Sequence, residues 1–359
     1  MAHRYLVSVG VLTELTMVLL LGTIPVAGQT PSSLTKTTGT AAKKLYTSPR
    51  TPDGQPDLQG FWTNSTYTPL ERPKNVTKEF YTPEEAARRE KEAAEREAEQ
   101  TVPGTVADVH YDLTQFGLDR SQVTHARNLR TGLIVDPTDG RLPPVTAEGQ
   151  KRAAEVASAR KRMGDPLDAA QNMNLGERCI MMANAGPMLP EGYISTYQIL
   201  QSPGYVMILA ERLHEFRVIP VDGRPHLPSN VRQWNGDSRG RWEGNTLIVE
   251  TTNYNDKRPG IGDNTAAGQA FSGASEDMRL IEWFTRVDAD TIQYRFTVED
   301  PKTWARPWTA EIPILKDQIQ GPLFEHACHE GNYSMTNMLK GAREAEKKAA
   351  EAAAKKGSK

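Results

Sequence analysis

The sequence predicts a mainly β protein, an antiparallel up-and-down barrel or strongly curved sheet, with peripheral N-terminal helices and a C-terminal helical tail. Three observations carry this expectation. From about residue 193 onward, short segments alternate apolar and polar residues with period two. Turn signals separate them at Pro203-Gly204, Gly244-Asn245 and Asp288-Ala289-Asp290. No Gly-rich βα pattern and no internal repeat is present. A meander of neighbouring strands removes its edges by curling into a barrel.

The N-terminus reads as an export signal. Arg4 supplies the positive start, Leu6 to Leu21 is mostly apolar apart from Glu14, and Pro25-Val26-Ala27-Gly28 offers small residues before Gln29. Residues 1–28 are expected to be a cleaved signal peptide, because the apolar run is short for a membrane span. An uncleaved anchor is the alternative. The protein is then exported, periplasmic or extracellular, with no membrane span after cleavage. Residues 29–56, rich in Thr, Ser, Pro and Lys, read as a flexible linker.

Residues 57–340 read as a single β-rich domain. Asp57-Leu58-Gln59-Gly60-Phe61-Trp62 suits a first strand, with Trp62 as a packing anchor. A charged helix is expected at 82–100, with Thr82 as N-cap, Pro83 at its first position and Glu84 and Glu85 at the positive end of its dipole. A second helix is expected from Thr146 to Met163, ending at Gly164-Asp165-Pro166, with strand-like Leu133-Ile134-Val135 between the two.

The strands follow. YISTYQILQS and GYVMILAER flank Pro203-Gly204. In the second, Tyr205, Met207 and Leu209 share one face and Val206, Ile208 and Ala210 the other, so cover on both sides is expected. EFRVIPVDG is next. RWEGNTLIVETTNY and LIEWFTRVDADTIQYRFTVED read as hairpins. Ile292, Tyr294, Phe296 and Val298 face one way; Gln293, Arg295, Thr297 and Glu299 face the other. Trp308, Ala310, Ile312 and Ile314 alternate again, and PLFEHACHEGNY is the last strand candidate. Residues 341–359 read as a charged, solvated helical tail.

Net charge is −2 over 359 residues. No basic field favours nucleic acid or anionic lipid. Cys179 and Cys328 are the only cysteines, and outside the cytoplasm two distant cysteines most simply pair.

Two local patterns carry a resemblance. Gly60-Phe61-Trp62 in a first strand resembles the G-x-W of lipocalins and related calycin barrels, where a Trp closes one end of a ligand-holding barrel. GDSRGRWEGNTLIVETTNY, FTRVDADTIQYRFTVEDPKTWARPWTAEIPI and HACHEGNY, with VDPTDGRLPP upstream, resemble a family of exported bacterial hypothetical proteins. That resemblance covers roughly the C-terminal half, implies export and a shared fold, and transfers no catalytic residue.

Three functional readings follow. The first is an exported barrel binding a small amphipathic or aromatic ligand, with Trp242, Trp283, Tyr294, Arg295 and Trp308 as the contact set. The second is an enzyme in which His326 or His329 acts as general acid–base with Glu330 as partner. On a strand His326 and His329 would face opposite ways and would not chelate one metal together; on a helical turn the i, i+3 pair could, but no third ligand is identifiable, so no metal site is assigned. The third is an interaction module displaying its charged helices. His214 reads as a turn histidine. His110 and His125 with Asp108, Asp112 and Asp119 read as a solvated loop without calcium-loop spacing. Trp234-Asn235-Gly236-Asp237-Ser238-Arg239-Gly240 contains no nucleophile elbow; an Asx-type turn and an Arg239–Asp237 ion pair are its simpler account. No cofactor is implied.

Overall fold

The computed structural model describes residues 46–98, 126, 128–173, 175–181, 186–190, 195–255, 275–317 and 323–357. The signal segment 1–28, most of the linker 29–56, and the group His110, His125, Asp108, Asp112 and Asp119 lie outside them.

The strands are β1 (Gly60–Thr63), β2 (Ile134–Asp136), β3 (Thr196–Ser202), β4 (Tyr205–Ala210), β5 (Phe216–Pro220), β6 (Asp237–Glu243), β7 (Thr246–Thr252), β8 (Arg279–Arg286), β9 (Thr291–Glu299) and β10 (Trp308–Lys316). They form one ten-stranded sheet in the order β5-β4-β3-β1-β10-β9-β8-β7-β6, with β2 paired to β10 beside the path. Followed around the molecule this is sequence order, broken only between β5 and β6. The sheet is a nearly closed antiparallel barrel with one unsealed seam.

The position of the seam follows from arithmetic. Every hydrogen-bonded pair around the path is antiparallel, and β1 and β10 close the ring at Trp62↔Lys316 and Thr63↔Leu315. Nine strands cannot alternate all the way round. The pair left over, β5 and β6, runs in the same direction, so no hairpin can join it. Residues 221–236 make the return along the gap instead. Side chains fill what the backbone does not pair. A Cβ on Gly240 of β6 would lie 2.7 Å from Val221 Cγ1 and 2.9 Å from Ile219 Cγ2, so glycine lets the edges meet. Arg239 Nε donates to Pro225 O at 2.9 Å, and the expected Arg239–Asp237 pair forms at 2.6 Å.

The structure puts the faces that alternation groups on β9 and β10, the even-numbered residues, inside, and the even-numbered residues of β8 join them. The register stacks them in tiers: Leu247, Phe284, Tyr294 and Ile312; then Gly240, Val249, Glu282, Phe296 and Ala310; then Ser238, Thr251, Leu280, Val298 and Trp308. Phe284, Tyr294, Phe296 and Trp308 are wholly buried and touch in series, ring centroids 4.8, 5.5 and 5.6 Å apart. Offset and edge-on contacts of this kind strengthen a core beyond the area they bury. At the end bearing the β8–β9 turn, the Trp62 indole N–H donates to Leu58 O at 2.9 Å, and the Arg286 guanidinium lies over its ring.

Among the described residues, three α-helices accompany the barrel. In α1 (Pro83–Ala98) Thr82 and Glu85 form a reciprocal cap: Glu85 N–H donates to Thr82 Oγ1, and Thr82 N–H to Glu85 Oε2. In α2 (Ala147–Met163) Thr146 Oγ1 accepts from Gly149 N–H. The third, α3 (Tyr333–Gly357), begins before the expected tail; position 341 lies inside it. Among the described residues, no helix is long and apolar enough to cross a membrane.

Two expectations are corrected. The segment PLFEHACHEGNY is not a strand. Its described part has no regular structure up to Ala327 and then turns, with Gly331 N–H closing on Ala327 O at 2.9 Å, before α3 starts. Cys328 within it is bonded to Cys179 (S–S 2.03 Å). The outer face of β4 is only partly covered, with Met207 and Leu209 half-buried. Tyr205 is 37 % exposed, and beside it on β3 and β5 Leu200, Phe216 and Val218 are exposed too.

Candidate binding site in the barrel interior

The middle tier holds a charged residue among apolar ones. Glu282 projects inward from β8 and is completely buried. Its counter-charge comes from the other side of the seam. Arg217 of β5 reaches across the interior, with Nη1 2.5 Å from Glu282 Oε2 and Nη2 3.0 Å from Oε1. A bidentate fork fixes both groups in one plane. Burial alone would lower the affinity of the guanidinium for its proton, but Glu282 outweighs it and holds the arginine above its ordinary range.

A hydrogen-bonded chain continues from this pair. Tyr294 Oη donates to Glu282 Oε1 at 2.7 Å and accepts from Met188 N–H at 3.1 Å. Asn64 Nδ2 donates to Met188 O at 2.9 Å and to Tyr197 Oη at 3.4 Å. Residues 186–189 therefore plug the interior and bond to both walls. At Gly186 a Cβ would stand 2.7 Å from Arg217 Nη1, so the plug lies directly on the guanidinium. Burial raises both phenols, Tyr294 well above its ordinary range and Tyr197 also above it, so each stays a neutral donor–acceptor. Two buried atoms in this cluster have no hydrogen-bond partner among the described residues: Arg217 Nε, a donor, and Asn64 Oδ1, an acceptor. Unpaired groups of this kind are rare in folded interiors and usually meet water or ligand.

The ligand set expected from sequence divides. Tyr294 and Trp308 are inside and wholly buried. Trp242 is half-buried against the core. Trp283 and Arg295 are on the outer face, where the Arg295 guanidinium lies 5.7 Å over the Trp283 ring. The five residues do not form one site. Gln293, Arg295 and Glu299 face outward.

The histidine cluster does not converge either. His326 Nδ1 accepts from Leu213 N–H at 2.9 Å, and burial, with Arg212 and His214 nearby, lowers its proton affinity below the ordinary 6.5. His329 and Glu330 are exposed in the turn before α3. His214 is exposed in the short turn of residues 212–214. No group of three His, Cys, Asp or Glu among the described residues could hold a metal ion.

Arg217, Glu282, Asn64 and Tyr197 were not singled out by sequence reasoning. Glu282 carried a signal, because it interrupts the alternation Leu280, Phe284 that marks an inward face. Arg217 carried a misleading one. In Phe216-Arg217-Val218-Ile219 hydropathy favours Phe216 and Val218 as the buried pair. The structure exposes Phe216 (59 %) and buries Arg217 (4 %).

The fold and the cluster define a nearly closed antiparallel barrel with a buried ion pair across its seam. No family model, no curated protein and no solved structure matches the chain.

Proposed function

We propose that this is an exported binding protein, which takes up a small amphipathic ligand at the Arg217–Glu282–Tyr294 cluster. One observation carries the reading: a donor, Arg217 Nε, and an acceptor, Asn64 Oδ1, stand unpaired beside aromatic walls in the barrel interior. The ligand's polar head pairs with those atoms, and its apolar body lies against Tyr294 and Phe296. Because these walls are closed to water, binding requires residues 186–189 to give way. The Cys179–Cys328 disulfide supports a site of action outside the reducing cytoplasm.

The test is a thermal-shift screen of small aromatic acids, phenols and amphipathic alcohols on the mature chain, repeated on the double variant Arg217→Met/Glu282→Met. Apolar replacement of a whole buried pair is often neutral for stability, so the variant isolates recognition from folding. Hits should raise Tm saturably in the natural protein and bind at least tenfold more weakly to the variant. A screen without hits, or equal binding to both proteins, overturns the proposal.

A further inference from the structure

A recess lies where the chain leaving β1, the first turns of α1 and residues 126–130 meet. Backbone bonds hold these segments together: Ala126 N–H to Ser65 O at 2.8 Å, Tyr81 N–H to Leu129 O at 2.8 Å, and Thr131 N–H to Glu79 O at 3.0 Å. The recess has about 30 Å³ of room for water-sized occupants, and Thr66, Thr68, Tyr81, Arg89, Asn128 and Arg130 are among its lining. That space suits roughly two waters or one small polar head group.

Its polar atoms are unevenly used. Tyr81 Oη and Asn128 Nδ2 are buried, and neither has a hydrogen-bond partner among the described residues. The orientation of the Asn128 amide is settled by its neighbour: Oδ1 accepts from Arg130 N–H at 3.0 Å, so Nδ2 is the end left over. Arg130 is committed to Glu79 and Glu311. Arg89 is not committed in this way; its guanidinium lies 4.8 Å from the Tyr81 ring centroid and pairs with no carboxylate among the described residues. An amide N–H, a phenol O–H and a guanidinium are all donors. Glu90 also lines the recess and opposes negative charge there, twice as strongly for a doubly charged occupant as for a singly charged one.

We propose that this recess is a binding site for a small monocarboxylate. One oxygen accepts from Asn128 Nδ2–H, the other from Tyr81 Oη–H, and Arg89 balances the charge. Charge-assisted bonds of this kind are stronger than neutral ones, and each satisfies a donor that burial has stripped of water.

Acetate is the probe, titrated into the full chain against chloride at constant ionic strength and followed by NMR shifts and by Tm. The expected result is a saturable response to acetate and none to chloride. Tyr81→Phe and Asn128→Leu should each weaken binding tenfold or more, and Arg89→Gln several-fold. Tyr81→Phe should leave the Tm of the ligand-free protein unchanged or higher, since it deletes an unsatisfied hydroxyl, which separates lost binding from lost fold. Arg217→Met/Glu282→Met should still bind acetate, which separates this site from the barrel interior. A non-saturable response, or natural affinity in Tyr81→Phe and Asn128→Leu, overturns the proposal and leaves the recess to water.

Discussion

Arg217 and Glu282 show how one pair of residues can override the pattern of a strand. Phe216 and Val218 would gain more from burial than Arg217 on hydropathy alone, at roughly 25 cal/mol per Å² of apolar surface removed from water. Yet a one-residue change of face moves every side chain of a strand together. With Ile219 inward against Gly240, Arg217 must be inward too, and the fully buried Glu282 requires a cation. The pair is strongly interdependent. Glu282→Gln or Arg217→Met alone leaves an uncompensated buried charge and is expected to cost about 3–5 kcal/mol. The double apolar variant should cost much less than the sum of the two, a large coupling in a double-mutant cycle. Urea unfolding of the four proteins measures it; additive single effects would mean that the two side chains do not rely on each other.

At the scale of elements, the sequence was most informative where a strand has one face in the core. Tyr294, Phe296 and Val298, or Ala310, Ile312 and Ile314, declare their side by spacing alone, and the turns at Pro203-Gly204 and Gly244-Asn245 fall where composition places them. The caps at Thr82 and Thr146 were equally legible, because capping is local chemistry. What failed was what depends on distant partners. The segment 323–331 has strand-like residues but joins no ladder, and β1 and β2 already occupy the side of β10 away from β9. Instead Cys328 ties it to Cys179 and His326 ties it to Leu213. Of the candidate sites, periodicity grouped Tyr294 with Phe296 and Trp308 with Ala310 on shared faces but did not say which face of β9 lines the interior, and the contact between β5 and β8 across a seam has no local signature. The His326 contact has a consequence for pH. Its neutral ring accepts the Leu213 N–H, and its proton affinity is lowered in the fold. The unfolded chain therefore takes up the proton first as pH falls. The stabilisation is present in full above about 6.5, the ordinary histidine value, and is lost as pH falls through the lower folded value. The Tm advantage of the natural protein over His326→Ala should shrink between pH 7.5 and 5; a constant difference across that range would show that this ring does not hold the segment.

For the whole molecule, the question is what keeps an incompletely hydrogen-bonded ring shut and its outlying helix attached. The seam is closed by Gly240, Ile219, Val221 and the Arg217–Glu282 bridge, all inside the barrel unit. The C-terminal helix is attached by different means: the Cys179–Cys328 bond, Asn332 Nδ2 donating to Glu177 O at 2.8 Å, and Arg343 donating to the carbonyls of Leu167 and Asp168. Most of α3 beyond Ala342 is exposed, so little apolar burial holds it in place. The disulfide closes a loop with a sequence separation of 149 residues that contains β3 to β10. Chain entropy assigns such a closure about 5 kcal/mol as an upper figure. The bond therefore acts on the barrel through the unfolded state and on the helix through the folded one. Replacing both cysteines with serine should lower the unfolding free energy of the whole barrel by up to that amount and, independently, raise amide exchange in the first turns of α3 at temperatures where the barrel is still folded. Calorimetry and hydrogen exchange on the same variant separate the two effects. If exchange in α3 rose while barrel stability stayed the same, the clamp would be local only. If neither moved, the hydrogen bonds of Asn332 and Arg343 would suffice to hold the helix, and the covalent link would add nothing to either.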